Sequence, residues 1–201
     1  MQAQSGGSDA TGTGTTEPIC GENAPITYTL GLRPLDSVDM PIVRQWRNDY
    51  RIWRWCRQND FISDVEQNHW FEAQSKDPTI KMYRTMIGYD HAGKANIVTV
   101  GVCGFTSIDM TNRRAEFSLY TAPQFQGRGF GTQALRCLLT HGFGNLGLHV
   151  VWGEVFDGNP ALEKFLSVGF QKEGIRRDFY FRDGKFIDAH LISMRSDEWK
   201  C

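Results

Sequence analysis

The sequence predicts a single α/β (α+β) domain built around a mixed sheet. Apolar residues make up 40% of the 201 residues, which is enough to fill one core. After Pro78 the hydrophobic period changes from that of a helix to the two-residue period of strands. Strand and helix patterns then alternate before a final hairpin, as expected for a sheet flanked by helices.

The first 24 residues are rich in Gly, Ser and Thr and contain few large apolar side chains. Such a segment buries too little surface to offset its loss of entropy. We therefore expect a disordered tail over residues 1–24 and a folded domain over residues 25–201. Alternating apolar residues from Ile26 to Leu32 predict the first strand, which ends at Pro34.

Two helices are predicted next. Asp36 is typical of a helix N-cap and leads into an apolar face that ends near Trp46. Ser63 and Glu66 have the spacing of a capping box, which predicts the start of a second helix. Between these helices, residues 47–62 interleave arginines with tryptophans in an unusual pattern.

The remaining elements follow from period and turn residues. Six further strands are predicted, covering Met82 to Tyr89, Ile97 to Ile108, Ala115 to Thr121, Leu148 to Phe156 and the two arms of a hairpin that turns at residues 182–185. Turns at residues 90–93 and 111–113 separate the first three of these strands. A helix containing Leu135 precedes the Leu148 strand, and a short helix from Pro160 follows it.

Composition excludes several classes of protein. The 22 basic and 23 acidic residues nearly balance, which argues against a chain that binds duplex nucleic acid through many phosphates. The longest apolar runs are too short for a membrane helix, and the start lacks the pattern of a secretory signal, so we expect no membrane partner and a cytoplasmic location. The five cysteines and five histidines lack metal-ligand spacing, so we expect no metal.

The stretch Gln126-Gly-Arg-Gly-Phe-Gly-Thr132 carries the chemistry. It follows a predicted strand and opens a helix, where small residues and free N–H groups favour the binding of a phosphate. Arg128 adds positive charge. The stretch lacks the Gly-Lys-Ser/Thr of a nucleoside-triphosphate loop and the spacing of a dinucleotide fold. A glycine-rich connection without a ligand is the alternative.

This stretch matches the pattern Q/R-x-x-G-x-G/A, and the chain thereby resembles the GNAT acyl-CoA N-acetyltransferases. The stretches Leu32–Leu35, Trp46–Asp49, Ala115–Phe117 and Gly169-Phe170 occur in the order familiar from that superfamily. The resemblance covers Leu30 to Trp199. It is strongest to the branch of ribosomal-protein N-terminal, spermidine and amino-sugar acetyltransferases.

The resemblance implies that acetyl-CoA is the co-substrate. It also implies a mostly antiparallel sheet that splays open between its fourth strand, Ala115 to Thr121, and its fifth, Leu148 to Phe156. The main chain of Leu119, Tyr120 and Thr121 would pair with the pantetheine arm, and Asn159 would contact the cofactor. The diphosphate would lie on Gln126, Gly127, Arg128, Gly129, Phe130, Gly131 and Thr132.

Transfer to an amine needs a proton acceptor, an oxyanion donor and a proton for the leaving thiolate. Glu116 matches a glutamate that serves in the family as base or amine contact; the alternative is an exposed carboxylate paired with Arg113 or Arg114. The Leu119 N–H is the expected oxyanion donor. The usual family tyrosine is Phe165 here, so Tyr120, Tyr180 or water would supply the proton, or the thiolate would leave unprotonated.

The Arg/Trp segment predicts the acceptor wall, with Arg47, Arg51, Trp53 and Glu116 as substrate contacts. Arginine forks and aromatic faces favour a phosphate-bearing amine, such as a nucleotide-linked amino sugar, over a polyamine. Alternatives are tryptophans that only fill the core, acetylation of a protein N-terminus or a polyamine, a non-catalytic acyl-CoA-binding module, and a single-stranded nucleic-acid binder. The edge strands leave room for a homodimer without requiring one.

Overall fold

The computed structural model describes residues 11–16, 26–58, 60–91 and 94–200. Eight strands form one sheet in the order β1-β2-β3-β4-β5-β6-β8-β7. The strands are β1 (Thr11–Thr16), β2 (Ile26–Pro34), β3 (Lys81–His91), β4 (Lys94–Asp109), β5 (Arg114–Thr121), β6 (Val150–Phe156), β7 (Gln171–Arg182) and β8 (Lys185–Arg195). The predicted strands are all present, and the predicted hairpin turn joins β7 to β8.

Helices cover both faces of this sheet. They are α1 (Met40–Arg47), α2 (Tyr50–Trp53), α3 (Asp64–Lys76), α4 (Phe130–Thr140) and α5 (Ala161–Val168), with short turns of other helix types at Ser37–Asp39, Pro123–Phe125 and His141–Asn145. The predicted capping box starts α3, since Ser63 and Glu66 exchange hydrogen bonds with each other's main chain. The Asp36 carboxylate likewise caps the turn that leads into α1.

The sheet changes direction at one place. Every neighbouring pair of strands is antiparallel except β5 and β6, which run parallel and pair only from Arg114 to Glu116 on β5. Beyond Glu116 the two strands separate. The predicted mixed sheet, mostly antiparallel and splayed between the two predicted strands, is therefore confirmed.

The N-terminal segment differs from the prediction of a disordered tail. Thr11–Thr16 form the edge strand β1, in antiparallel register with β2 from Thr16–Ile26 to Thr11–Gly31. An edge strand is stabilised by main-chain hydrogen bonds, which do not require apolar side chains. The low hydrophobicity of this segment therefore gave no signal for a strand. The rest of the expected tail lies outside the described residues.

The side chains of β5 alternate between two different environments. Phe117 packs on Phe165 and Phe170 beside α5, with ring centroids 5.1 and 5.0 Å away. Glu116 points to the opposite face, where the segment after α2 lies. The helix α4 covers the Phe117 face with buried Leu135 and its neighbours, so β5 separates two surfaces of different chemistry.

Candidate active site

The gap between β5 and β6 exposes main-chain groups of β5. The Ala122 N–H bonds to the Val100 carbonyl at 2.8 Å, which sets the alternation along the β4–β5 ladder. In that alternation the main chain of Tyr120 faces β4, where it pairs with Val102. The N–H and carbonyl groups of Leu119 and Thr121 face the gap.

Two of the three residues predicted to pair with pantetheine therefore present main-chain groups to the gap. The Leu119 N–H, which is the predicted oxyanion donor, is one of these groups. The Thr121 carbonyl accepts from Gln126 Nε2 at 3.3 Å, so the loop is tied to the end of β5. Tyr120 differs, because its main chain is used by β4, and only its side chain can take part in the site.

The loop before α4 leaves open space around its main chain. Gly127 and Gly129 have φ of 79° and 81°, and a Cβ built on either would meet nothing within 4 Å. Their conformation favours glycine, and their surroundings are open. Gly129 precedes the first turn of α4 without a side-chain cap, so the first N–H groups of α4 point into this open space.

The other residues of the loop 126–132 differ in burial and in the groups that they can offer to a ligand. The Phe130 ring is buried against Tyr28 at 5.2 Å, so this residue can offer a ligand only its N–H. A Cβ on Gly131 would come 3.0 Å from Thr121 Oγ1, so glycine permits the close approach of α4 to β5. Arg128 is exposed beside the open space, and Thr132 is half-buried in the first turn.

Asn159 lies at the start of α5. Its Oδ1 accepts a hydrogen bond from the Ala161 N–H at 2.9 Å, as an N-terminal cap does. The side-chain amide nitrogen is thereby held in a fixed direction. Phe165 lies within α5 and packs edge-on against Phe117 in the apolar cluster. It has no proton to give.

Two buried carboxylates meet on the opposite face. Glu116 and Glu154 have side chains only 6% and 3% exposed. Glu116 forms an ion pair with Arg57, and its second oxygen lies 3.4 Å from Thr106 Oγ1. The alternative of an exposed carboxylate paired with Arg113 or Arg114 is wrong, because the register of β5 turns Glu116 inward.

Glu154 is held from three directions. It forms an ion pair with Arg176, accepts from the Tyr180 hydroxyl at 2.6 Å, and lies 3.5 Å from Arg57 Nε. Sequence reasoning missed Glu154 and Arg176 as site residues, and it placed Arg57 only within the Arg/Trp segment. A carboxylate in the otherwise apolar strand Val150–Phe156 was the available signal, since a buried charge needs partners.

The Arg/Trp segment is mostly paired within the protein. Arg51 forms an exposed fork with Asp49, with bonds of 2.9 and 2.7 Å, so this predicted substrate contact is already bound to a carboxylate. Trp53 stacks on Phe61, and its buried indole N–H has no acceptor among the described residues. Trp46 belongs to the core, as the structural alternative for the tryptophans holds.

Two arginines near the gap bind neutral oxygens. Arg47 donates to Gln58 Oε1 at 3.1 and 2.8 Å. The buried Arg182 donates to the carbonyls of Cys56 and Phe181 at 2.7 Å each. Because these oxygens carry no full charge, both guanidinium groups keep their positive charge for the site.

Two tyrosine hydroxyls near the gap stay protonated at neutral pH. Burial raises the pKa of Tyr120 far above its usual value, although the positive charge of Arg47 lowers it in part. Burial and the hydrogen bond to Glu154 raise the pKa of Tyr180. Each hydroxyl can therefore donate a hydrogen bond, and neither acts as a base at neutral pH.

Within residues 11–16, 26–58, 60–91 and 94–200, no three His, Cys, Asp or Glu side chains lie together as a metal site would require. No helix in this part of the chain is long and apolar enough to cross a membrane.

Comparisons with known proteins point to one family. A family model described as an acetyltransferase (GNAT) domain matches residues 29–171. An uncharacterised N-acetyltransferase of Bacillus licheniformis, p20, is 28% identical over 180 residues, 86% of this chain and 96% of p20. A spermidine N(1)-acetyltransferase of Escherichia coli is 25% identical over 166 residues, 82% of this chain and 85% of the enzyme.

Among solved structures, a spermidine N-acetyltransferase of Vibrio cholerae in complex with CoA and spermine has a TM-score of 0.75 to this chain. The two are 24% identical, and the match covers 84% of this chain and 96% of that one. At this identity the likeness shows a shared fold.

Proposed function

Because the chain belongs to the acetyltransferase (GNAT) family, we propose that its β5–β6 gap and its Glu116–Glu154 pair form one active site for a primary amine that also carries an anionic group. The chain is an acetyl-CoA-dependent N-acetyltransferase. The observation that carries the proposal is the position of Glu116 at the point where β5 and β6 separate. The acceptor would approach Glu116 from one face, and acetyl-CoA would lie along the gap.

The residues present fit acetyl-CoA. Gly127, Gly129 and the first N–H groups of α4 would bind the diphosphate, and Arg128 would add a charge-assisted contact. The main-chain groups of Leu119 and the Thr121 N–H would pair with the pantetheine arm, while the Thr121 carbonyl is held by Gln126. When bound, acetyl-CoA supplies the thioester that the amine attacks.

Three groups of this chain would then act on the reaction. Glu116 accepts a proton from the ammonium, since an alkylamine with a pKa of about 10 reaches the site charged. The Leu119 N–H donates a hydrogen bond to the carbonyl oxygen as negative charge develops there. The neutral Tyr120 hydroxyl is the proposed proton donor to the leaving thiolate in place of Phe165, with Tyr180 and water as the other sources.

Charge near the gap supports an anionic group on the acceptor. The two carboxylates are matched by Arg57 and Arg176, whereas Arg47 and Arg182 bind neutral oxygens. This excess of positive charge attracts a phosphate or carboxylate. A nucleotide-linked amino sugar is one molecule with both an amine and such a group.

Polyamine acetylation is the second candidate. It is favoured by the 25% identity to the Escherichia coli protein, whose name gives spermidine as its substrate. The Glu116–Glu154 pair can bind an ammonium group of a polyamine. The neighbouring arginines would repel the other ammonium groups, which is why the anionic acceptor is preferred.

The test is mass spectrometry of the full chain with acetyl-CoA and a mixed panel of amines. The panel contains a nucleotide amino sugar, an amino-sugar phosphate, spermidine and peptides with free N-termini. We expect the mass gain of one acetyl group on the phosphate-bearing amines, and no gain when CoA replaces acetyl-CoA. Acetylation of spermidine or of peptides alone would overturn the proposed acceptor. A cytoplasmic location and a homodimer remain predictions.

A further inference from the structure

At the buried Glu116–Glu154 pair, Arg176 is 41% exposed, and Arg57 is more exposed still. Its side chain is 51% exposed and comes from the turn segment 54–58 after α2. The two carboxylates belong to strands of the sheet and are 6% and 3% exposed. Glu154 is also held by Tyr180 and Arg176. Among the described residues, Arg57 contacts both carboxylates, whereas Arg176 contacts Glu154 and belongs to strand β7. Arg57 is therefore the partner whose departure into water exposes both carboxylates and leaves the sheet in place.

The Arg57 guanidinium lies where the two carboxylates converge. It forms an ion pair with Glu116 Oε1 and places its Nε 3.5 Å from Glu154 Oε2. An alkylammonium group is also a cation with N–H donors, and it satisfies the same oxygens. If Arg57 leaves, two buried carboxylates face the single charge of Arg176, and an incoming ammonium restores the balance.

We infer that Arg57 occupies the acceptor's ammonium position and acts as a side-chain gate that the acceptor must displace, with Glu154 as a positioning residue beside Glu116. The inference rests on the proposed function, because it assigns the amine position in the same site. It explains why Glu116, the proposed base, forms an ion pair with Arg57 before the acceptor binds. It also selects for acceptors that bring a positive charge.

Displacement of Arg57 also changes the basicity of Glu116. The groups that face the pair are Thr106 of β4, Arg57, and Arg176 and Tyr180 of β7; Tyr120 lies further along β5. Without Arg57, the negative charge of Glu154 favours the protonated form of Glu116. With Arg57 displaced, its fixed positive charge no longer opposes transfer of the ammonium proton to Glu116, so Glu116 is a stronger base than in its ion pair with Arg57.

The test compares the full-length wild type with Arg57→Gln, Arg57→Lys and the control Arg195→Gln. Arg195 is exposed and pairs with Asp197 and Glu198 near the end of β8. The probe is propylammonium, titrated while the side-chain carboxyl signals of Glu116 and Glu154 are followed by carbon NMR. Assignment uses Glu116→Gln and Glu154→Gln. This readout does not depend on turnover.

We expect Arg57→Gln to bind propylammonium about three- to tenfold more tightly than the wild type, because the internal competitor is gone. The Glu116 carboxyl should titrate at higher pH, and the acetyl-CoA affinity should not change. Arg57→Lys should lie nearer to the wild type, and Arg195→Gln should match it.

Weaker propylammonium binding in Arg57→Gln, or an unchanged Glu116 titration, would overturn the gate. A parallel loss of melting temperature and acetyl-CoA affinity, restored in Arg57→Lys, would instead make Arg57 a structural bridge. If no amine in the panel is acetylated while Arg57→Gln still binds propylammonium more tightly, the proposed acceptor fails and the gate stands.

Discussion

The edge of β5 that borders the gap and the side of β5 that carries Glu116 offer a ligand different kinds of groups. On the gap side, the groups available to a ligand are main-chain N–H and carbonyl groups, together with glycines whose missing side chains leave space. On the Glu116 side, they are charged side chains brought together from β5, β6, β7 and the segment after α2. Binding at the gap edge depends on the position of the backbone. Binding on the Glu116 side depends on which side chains come together.

This difference determines how each face tolerates change. A main-chain site is disturbed only where a new side chain fills its space or adds the wrong charge. A cluster of buried charges is disturbed by the loss of any one partner, because the remaining charge is left without compensation. Substitutions can therefore separate the two faces.

The largest effect is expected for Glu116→Gln. Loss of the proposed base should lower kcat/KM for the acceptor by about a hundredfold or more, as is typical for general-base catalysis. The dissociation constant for acetyl-CoA should stay within about twofold, since Glu116 faces away from the gap. Steady-state kinetics and calorimetric titration with acetyl-CoA measure the two quantities.

Glu72→Gln is the matched control, because Glu72 is an exposed carboxylate on α3. It should behave as the wild type in both measurements. A Glu116→Gln protein with undiminished kcat/KM would remove Glu116 from the chemistry and leave it as a structural partner of Arg57.

Gly127→Glu is expected to weaken the binding of acetyl-CoA at the loop before α4. The carboxylate should repel the diphosphate and raise the dissociation constant for acetyl-CoA by about ten- to a hundredfold, or about 1.4–2.8 kcal/mol. Gly184→Glu controls for the backbone, since Gly184 of the β7–β8 turn also has a φ of 79° with nothing within 4 Å of a built Cβ. Equal acetyl-CoA affinity in the two variants would show that the loop does not bind the diphosphate.

The smallest effect is expected for Tyr120→Phe in alkaline solution. Burial raises the pKa of Tyr120 in the folded state, so above about pH 10 the unfolded chain loses this proton first. The free energy of unfolding of the wild type should then fall as the pH rises, by at most about 1.4 kcal/mol per pH unit from this residue.

Tyr120→Phe should lack this contribution and show a shallower decline between about pH 10 and 12 in urea unfolding. Tyr50→Phe is the comparison, because Tyr50 is 50% exposed. Identical slopes in the wild type and Tyr120→Phe would show that the Tyr120 hydroxyl is accessible to water rather than buried in the site.

The order of β2 to β8 and of α1, α3, α4 and α5 was predictable because each of these elements has its own local signal. Periodicity and capping residues located β2 to β8 and the capped start of α3. The loop Gln126–Thr132 was found because three glycines recur at every second position within it. The strand β1 was missed, since pairing at a sheet edge needs no apolar side chains. Arg51 was expected at the acceptor but lies in a fork with Asp49, a partner only two residues away.

From the sequence alone came the sheet with its helices and the glycine-rich loop before α4, because contiguous residues encode each of them. The candidate base Glu116 came from the resemblance to the GNAT family. Only the tertiary structure decided the partners of that base. Glu154, Arg176 and Arg57 lie far from Glu116 along the chain, and they meet it because β6 pairs with β5 for three residues and then separates. Local patterns carry no information on such pairings, since register and splay are set by the packing of the whole sheet.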